Sequence, residues 1–215
     1  MPLALVAPLF LIFNVSWIAL YVLVIRRGFL DKTFGIPLVA LAVNFSWDVI
    51  NTFVSPSPDG QAIFNFVFIV LEIVIIYQLL RFWQTEITNM PPAHFYFWSV
   101  IALVMSLVLI HAAQVEFQGT GERSGYADTF LSSAFFVAMI YMRRDLGGQS
   151  LYIGLLKLVG NASLMLALLL RPWPGTENSV LLPVLYVGIF FFDIAYVVLY
   201  VWRARQHDIN PRLRF

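Results

Sequence analysis

Three carboxylates occur within segments that are otherwise apolar and aromatic: Asp48, Glu72 and Asp193. An ionised carboxylate at the centre of a membrane helix costs at least about 2.5–3.5 kcal/mol, so such residues usually face the bundle interior and have a function. We expect a carboxyl group in these surroundings to keep its proton near neutral pH, because burial disfavours the charged form. Acids of this kind beside aromatic surface suit chemistry on an apolar substrate that begins with proton transfer. They would equally suit a proton-coupled transporter, which is the alternative.

The richest local pattern surrounds Asp48. Asn44, Asp48 and Asn51 follow an i, i+4, i+7 spacing, which predicts that the three side chains share one face of a helix. Trp47 lies beside them, and an asparagine one turn away can hold a carboxyl group in one orientation. The alternative role for the two asparagines is to hydrogen-bond neighbouring helices together, as polar side chains in membranes often do.

The other two acids also share helix faces with polar or aromatic residues. From the span midpoints, Asp48 is predicted about 5 Å to the outer side of the membrane centre and Asp193 about 5 Å to the inner side, with Glu72 near the middle. Two acids at different depths could bracket one cavity, and Lys157 could neutralise one of them. We therefore predict Asp48 and Asp193 as catalytic residues. The predicted substrate-binding residues are Asn44, Trp47, Asn51, Glu72, Tyr77, Asn161, Phe190 and Tyr196.

The composition indicates an all-α membrane protein. Of 215 residues, 60% are hydrophobic and 12% are charged, and the charged fraction is about half that of an average soluble domain. Apolar runs of about 20 residues, the length needed to cross a bilayer, recur along the chain. They predict one seven-helix transmembrane domain over residues 1–215, with spans at about 3–25, 35–54, 62–83, 95–115, 127–142, 149–170 and 179–202.

The basic residues predict the orientation of this bundle. With seven spans and the amino terminus outside, ten lysines and arginines fall on one side and only Arg123 and Arg171 on the other. The side with more basic residues is normally cytoplasmic, which places the carboxyl terminus inside. The ten residues are Arg26, Arg27, Lys32, Arg81, Arg143, Arg144, Arg203, Arg205, Arg212 and Arg214. Because topology explains them, they do not indicate nucleic-acid binding.

Several familiar chemistries have no motif in this sequence. There is no cysteine, and the three histidines lack metal-ligand spacing. A DDxxD-like cluster for magnesium and diphosphate, a P-loop, GxSxG and HExxH are all missing. We therefore expect no metal site. No obligate protein partner is evident from the sequence. The predicted location is a cell membrane or the endoplasmic reticulum, in multi-pass form.

Three segments resemble one enzyme family. GIPLVALAVNFSWDVI resembles the second-span signature of the integral membrane terpene cyclases of meroterpenoid and indole-terpenoid biosynthesis, which include the paxilline- and pyripyropene-type cyclases and bacterial relatives. RRDLGGQSLYIGLLKLVGN and FFDIAYVVLYVWRAR resemble the later segments of that family. The resemblance extends from about residue 34 to residue 205, in the same order and at similar separations.

The resemblance implies a seven-span enzyme without metal or organic cofactor. Members of this family fold a prenyl chain attached to an aromatic or indole head, and protonation of a terminal epoxide or olefin starts a cationic cascade. The two essential acids of the family correspond to Asp48 and Asp193. This chain has Asp48 where many fungal members have glutamate. The second acid could reprotonate the first, anchor the polar head or remove the final proton.

Overall fold

The computed structural model describes residues 3–57, 60–117, 121–143, 145–172, 176 and 178–215. Within these ranges the chain forms seven α-helices and no strand, which confirms the all-α prediction. Arg144, one of the basic residues used to predict the orientation, lies outside them. The helices are α1 (Leu3–Asp31), α2 (Leu38–Val49), α3 (Gln61–Phe82), α4 (Pro92–Phe117), α5 (Glu122–Met142), α6 (Leu151–Leu170) and α7 (Leu181–Gln206).

The helix boundaries follow local chemistry. Pro92 is the first residue of α4, where its missing N–H costs no intrahelical bond. Ser150 precedes α6, and its hydroxyl accepts a hydrogen bond of 3.2 Å from the backbone N–H of Ile153, as expected of a helix cap. A π-helical turn, Ile50–Val54, extends α2. Such turns are rare and occur often at functional sites.

The lengths and hydropathy of the helices show a multi-pass membrane protein. Five helical segments of the described chain are long and apolar enough to cross a bilayer. They are Val6–Asp31, Gln61–Thr85, Pro92–Phe117, Leu151–Leu170 and Leu181–Gln206. The segment Leu38–Val54 is apolar but shorter. The predicted count of seven spans therefore stays a prediction.

The fifth helix is longer than the sequence predicts. It begins at Glu122 rather than near residue 127, because a polar stretch that reads as a loop continues the helix. In that stretch Glu122 and Ser124 are buried inside the bundle, and Ser124 contacts the Trp47 indole of α2. Contacts with other helices, rather than hydrophobicity, therefore determine where α5 begins.

Six of the helices pack as a closed ring. In the order α1, α3, α2, α5, α7 and α6, each helix contacts the one that follows it, and α6 contacts α1. The remaining helix, α4, lies outside the ring and packs mainly against α2. Large apolar side chains such as Leu11, Phe66 and Val187 are exposed, as a surface in contact with lipid requires. A ring of this kind leaves space for a cavity along its axis.

One end of the ring is closed by arginine contacts, and we call it the Arg-rich end (Arg27, Arg143 and Arg214). Asp31, at the carboxyl end of α1, forms ion pairs with Arg27 and, at 2.8 Å, with Arg214 from the tail. Arg143 donates a hydrogen bond to the backbone carbonyl of Phe34. These bonds tie the tail and two interhelical loops together, so any cavity has to open elsewhere.

Candidate active site

A cavity lies inside the ring, in the half away from the Arg-rich end. It contains about 720 Å³ of non-protein space, part of it open to the outside, within the usual range for small-molecule sites. Residues of α1, α2, α3, α5 and α6 line it. The aromatic lining residues are Phe10, Phe13, Trp17, Tyr21, Trp47, Phe68 and Tyr126, and the carboxyl groups are Asp48, Glu122 and Asp128.

The aromatic rings form a connected wall along α1. The Trp17 and Tyr21 rings meet edge to face with centroids 5.7 Å apart, and Tyr21 meets Phe68 in the same way at 5.8 Å. Such an arrangement holds the rings in fixed positions. The faces of such rings attract a cation by about 0.5–2 kcal/mol each. This wall is therefore suited to an apolar substrate that acquires positive charge.

Asp48 and Glu72 form a buried acid pair at the cavity wall. Their carboxyl groups lie within hydrogen-bonding reach of each other, and their exposed fractions are 5% and 0%. The hydroxyl of Tyr21 lies 3.0 Å from Glu72 Oε1, whereas Glu72 Oε2 accepts no other hydrogen bond from the described residues. Two carboxyl groups can bond only if one of them carries a proton. A pair of this kind can share a proton next to the cavity, which Asp48 lines and Glu72 does not.

Asn44 holds a carboxyl group, but not that of Asp48. In the favoured orientation of its amide, which gives the NH₂ group acceptors on α5, it donates to the two Asp128 oxygens at 2.6 and 2.8 Å and to Ser132 at 3.0 Å. Its carbonyl oxygen then lies 3.2 Å from the Tyr21 hydroxyl. Asp128 is a residue that the sequence analysis missed. The spacing of Asp128 and Ser132, i and i+4 on one helix face, is the signal that could have identified it.

Asp193 lies outside this cavity in a second polar cluster. Its Oδ1 forms an ion pair of 2.6 Å with Lys157 Nζ, and its Oδ2 accepts a hydrogen bond of 2.7 Å from Asn161. Lys157 also donates to Ser133. The Asn161 carbonyl accepts from the Trp17 indole N–H at 3.2 Å. Asp193 therefore reaches the cavity wall through Asn161 and Trp17 rather than directly.

Trp47 lines the cavity, whereas Asn51 is turned toward α4. The indole N–H of Trp47 lies 3.0 Å from the Gly121 carbonyl and 3.2 Å from the Ser124 hydroxyl. Asn51 donates to the Trp47 carbonyl at 2.8 Å and accepts from Gln114 of α4 at 3.0 Å. The π-helical turn begins at Ile50, so the α-helical spacing that would align Asn51 with Asp48 no longer applies there.

The three remaining predicted binding residues lie at different distances from the cavity. Phe190, together with Asn161, lines a smaller adjoining pocket of about 240 Å³. Tyr196 is buried nearer the Arg-rich end, where its hydroxyl donates to Gln149 at 2.8 Å. Tyr77 is 55% exposed on the outer surface and packs against Phe29. The structure thus brings Asn44, Trp47 and Asp48 to the cavity, with Glu72 behind them.

A metal site needs several ligating side chains held close together. Across the part of the chain that the structure describes, no group of three or more histidine, aspartate or glutamate side chains is placed to hold a metal ion. The polar groups of the cavity instead bond to one another and to tyrosine, serine and asparagine. This arrangement can store, donate and accept protons beside an apolar surface.

Comparison with known proteins identifies the family. The sequence model of the Pyr4-like transmembrane terpene cyclases matches residues 3–206. The chain is similar to the Pyr4-family terpene cyclase mfmH of Annulohypoxylon moriforme, with 24% identity over 86% of this chain and 78% of that protein. It is also similar to the terpene cyclase pyr4 of Aspergillus fumigatus, with 23% identity over 91% of this chain and 85% of that protein. No solved structure matches the chain significantly. Because the family match spans most of its length, the protein belongs to the Pyr4-like transmembrane terpene cyclases.

Proposed function

We propose that this cyclase protonates a prenyl chain attached to an aromatic or indole head and guides a cationic cyclisation of that chain. The observation that carries the proposal is the acid pair: Asp48 lines an aromatic cavity, and its carboxyl group lies within hydrogen-bonding reach of the buried Glu72. A protonated Asp48 would donate a hydrogen bond to the Glu72 carboxyl group. This arrangement keeps a general acid neutral and ready at the cavity surface.

The proposed reaction begins at the far end of the prenyl chain. Asp48 donates its proton to the terminal olefin or epoxide, and the resulting cation is attacked by the next double bond of the chain. The faces of Trp17, Tyr21 and Phe68 stabilise the positive charge as it moves. A cavity with these walls also keeps water from capturing the cation early. Loss of a proton ends the cascade, so substrate and product have the same mass. In this mechanism the protein needs no metal or organic cofactor.

Asp193 is proposed as a positioning residue rather than a group that touches substrate. It neutralises Lys157 inside the bundle and orients the Asn161 amide. Asn161 in turn fixes the indole of Trp17 on the cavity wall. Phe190 contributes to the adjoining pocket. Asn51, Tyr77 and Tyr196 receive no substrate contact in this proposal, because their side chains face away from the cavity.

The proposed substrate follows from the cavity and the membrane. A prenyl chain of 15 or 20 carbons partitions into the bilayer, and an apolar cavity among membrane helices receives it there. We propose seven spans with the amino terminus outside and the carboxyl terminus in the cytoplasm, in a cell membrane or the endoplasmic reticulum. The excess of basic residues at the Arg-rich end supports this topology.

A proton-coupled transporter would use buried acids in a similar way. Membership of a terpene cyclase family, and the printed names of the relatives, favour the cyclase. The two functions differ in a simple observable, because a transporter moves its substrate without changing it.

Incubation of membranes that contain the protein tests the proposal. The probes are indole and phenol, each carrying a farnesyl or a geranylgeranyl chain, and the terminal epoxides of these four compounds. The expected products have the mass of the probe and fewer double bonds. Membranes with the Asp48→Asn variant, expressed to the same level, are the control. Unchanged recovery of all probes from wild-type membranes would count against the proposed substrate class.

A further inference from the structure

Asp128 has no role in the family resemblance, yet its carboxyl group lines the same cavity as Asp48 and comes from a different helix, α5. Unlike Glu122, which also lines the cavity, it is held by the Asn44 amide. We propose that Asp128 is the base that takes the final proton from the cyclised cation, and that Asn44 positions it. This inference rests on the proposed cyclisation. It assigns to Asp128 the step that the sequence analysis left open for Asp193.

Burial opposes a charge on both Asp128 and Asp48, but the groups that surround the two carboxyl groups differ. Both Asp128 oxygens accept from the Asn44 amide, and the positive charge of Lys157 acts on the same carboxylate. Asp48 faces another carboxyl group, that of Glu72, and has no cationic partner among the described residues. Carboxyl groups placed in such different environments divide into an acid and a base. Both line the same cavity, so one substrate can reach each of them.

Tyr21 and Asn44 connect the acid pair to Asp128. The single proton of the Tyr21 hydroxyl can go either to Glu72 Oε1, 3.0 Å away, or to the Asn44 carbonyl, 3.2 Å away. In the first arrangement the Tyr21 hydroxyl donates to the Asn44 carbonyl, and the Asn44 NH₂ donates to an ionised Asp128. Glu72 is then protonated and donates to the Tyr21 oxygen. In the second arrangement the Tyr21 hydroxyl donates to Glu72, and the Asn44 amide is reversed. The Asn44 NH₂ then donates to Tyr21, and the Asn44 carbonyl faces a protonated Asp128.

The two arrangements correspond to the start and the end of the reaction. At the start, the acid pair holds the additional proton and Asp128 is ionised. Asp48 then transfers a proton to the olefin or epoxide. At the end, a C–H bond next to the cation breaks, its electron pair forms a double bond, and its proton goes to Asp128. The net change is one proton moved from the acid pair to Asp128 through the substrate. Return of that proton after product release restores the first arrangement.

Replacement of Asp128 by asparagine separates this step from initiation. With the prenylated indole and phenol probes, Asp128→Asn should still consume substrate but release products of altered termination, including alcohols formed by water capture, and turnover should fall at least about tenfold. Asp48→Asn should consume nothing. Asp208→Asn, which alters an exposed residue of the tail, is the matched control and should behave like wild type. If the wild-type protein is active and Asp128→Asn has the same rate and the same products, the inference is overturned while the proposed function stands.

Infrared spectroscopy tests the acid and base assignment without any turnover. Spectra of the purified resting protein should contain C=O stretching bands of protonated carboxyl groups, and Asp48→Asn should remove one of them. Asp128→Asn should leave these bands in place, because Asp128 is ionised at rest. Loss of a protonated-carboxyl band in Asp128→Asn would contradict the assignment, whatever the enzyme does with the probes. Asp208→Asn again provides the control spectrum.

Discussion

Asp193 and Lys157 form an ion pair of 2.6 Å, and both side chains are almost completely buried. The second oxygen of Asp193 accepts from Asn161, so both carboxylate oxygens have protein partners. Asp193 also does not line the cavity that contains Asp48. A loss of activity on mutation of Asp193 would therefore have two explanations, direct chemistry or disturbance of this cluster, and the explanations can be separated.

Lys157→Met should destabilise the protein strongly. Removal of one partner from a buried pair leaves an uncompensated charge and typically costs about 3–5 kcal/mol. The double variant Lys157→Met with Asp193→Asn should be more stable than Lys157→Met alone, because no net charge stays buried. Thermal unfolding in detergent measures both, with Arg205→Met on an exposed part of α7 as the control. An equal loss of stability in the single and double variants would show that Lys157 and Asp193 do not stabilise each other.

The same double variant tests whether Asp193 only positions other groups. If Asp193 acts by neutralising Lys157, the folded double variant should recover part of the activity that Asp193→Asn alone has lost. Recovery should be incomplete, because the charge of Lys157 no longer acts on Asp128. Its turnover number and product pattern with the prenyl probes are the measurements. A double variant that is folded and entirely inactive would instead place Asp193 in the chemistry.

Trp47→Phe should lower turnover and let water capture more of the cationic intermediate. The variant keeps an aromatic face at the cavity but loses the indole N–H that lies 3.0 Å from the Gly121 carbonyl. We expect turnover to fall several-fold, since a net hydrogen bond contributes about 0.5–1.5 kcal/mol, and the share of water-captured products to rise. Trp98→Phe, which changes an exposed tryptophan on α4, should have no effect. Equal product patterns in the two variants would remove Trp47 from the account.

A reporter fused after Phe215 tests the proposed topology. A reporter that functions only in the cytoplasm should be active, because ten of the twelve basic residues assigned to loops and termini would then face inward. The control is the same reporter fused at the amino terminus, which should be silent. Activity of a reporter that functions only on the other side of the membrane would contradict the seven-span arrangement.

The sequence predicted the elements of this protein better than it predicted their contacts. Long apolar runs separated by turn residues gave seven helices near their observed positions. The burial of Asp48, Glu72 and Asp193 was also anticipated, because a carboxylate within an apolar run has to face the bundle interior. The beginning of α5 was not anticipated, since its polar first turn is buried and contacts Trp47 of α2.

The site shows why contacts were harder to predict. The spacing of Asn44 and Asp48 indicated an asparagine that holds a carboxyl group, and Asn44 does hold one. That group is Asp128, which lies 84 residues after Asn44 and on a different helix. The periodicity of α2 carries no information about a residue on another helix. Likewise, the pairing of Asp48 with Glu72, and of Asp193 with Lys157, depends on how the ring of helices closes. Spacing along a single helix predicts faces, and only packing determines partners.

The most direct test of acid initiation by Asp48 uses heavy water. Wild-type protein equilibrated in D₂O should convert an olefinic prenyl probe into a cyclic product that carries one non-exchangeable deuterium, at the carbon protonated first. Asp48→Glu should give the same labelled product more slowly, and Asp48→Asn should give none while folding normally. A labelled cyclic product formed by Asp48→Asn at the wild-type rate would contradict the account.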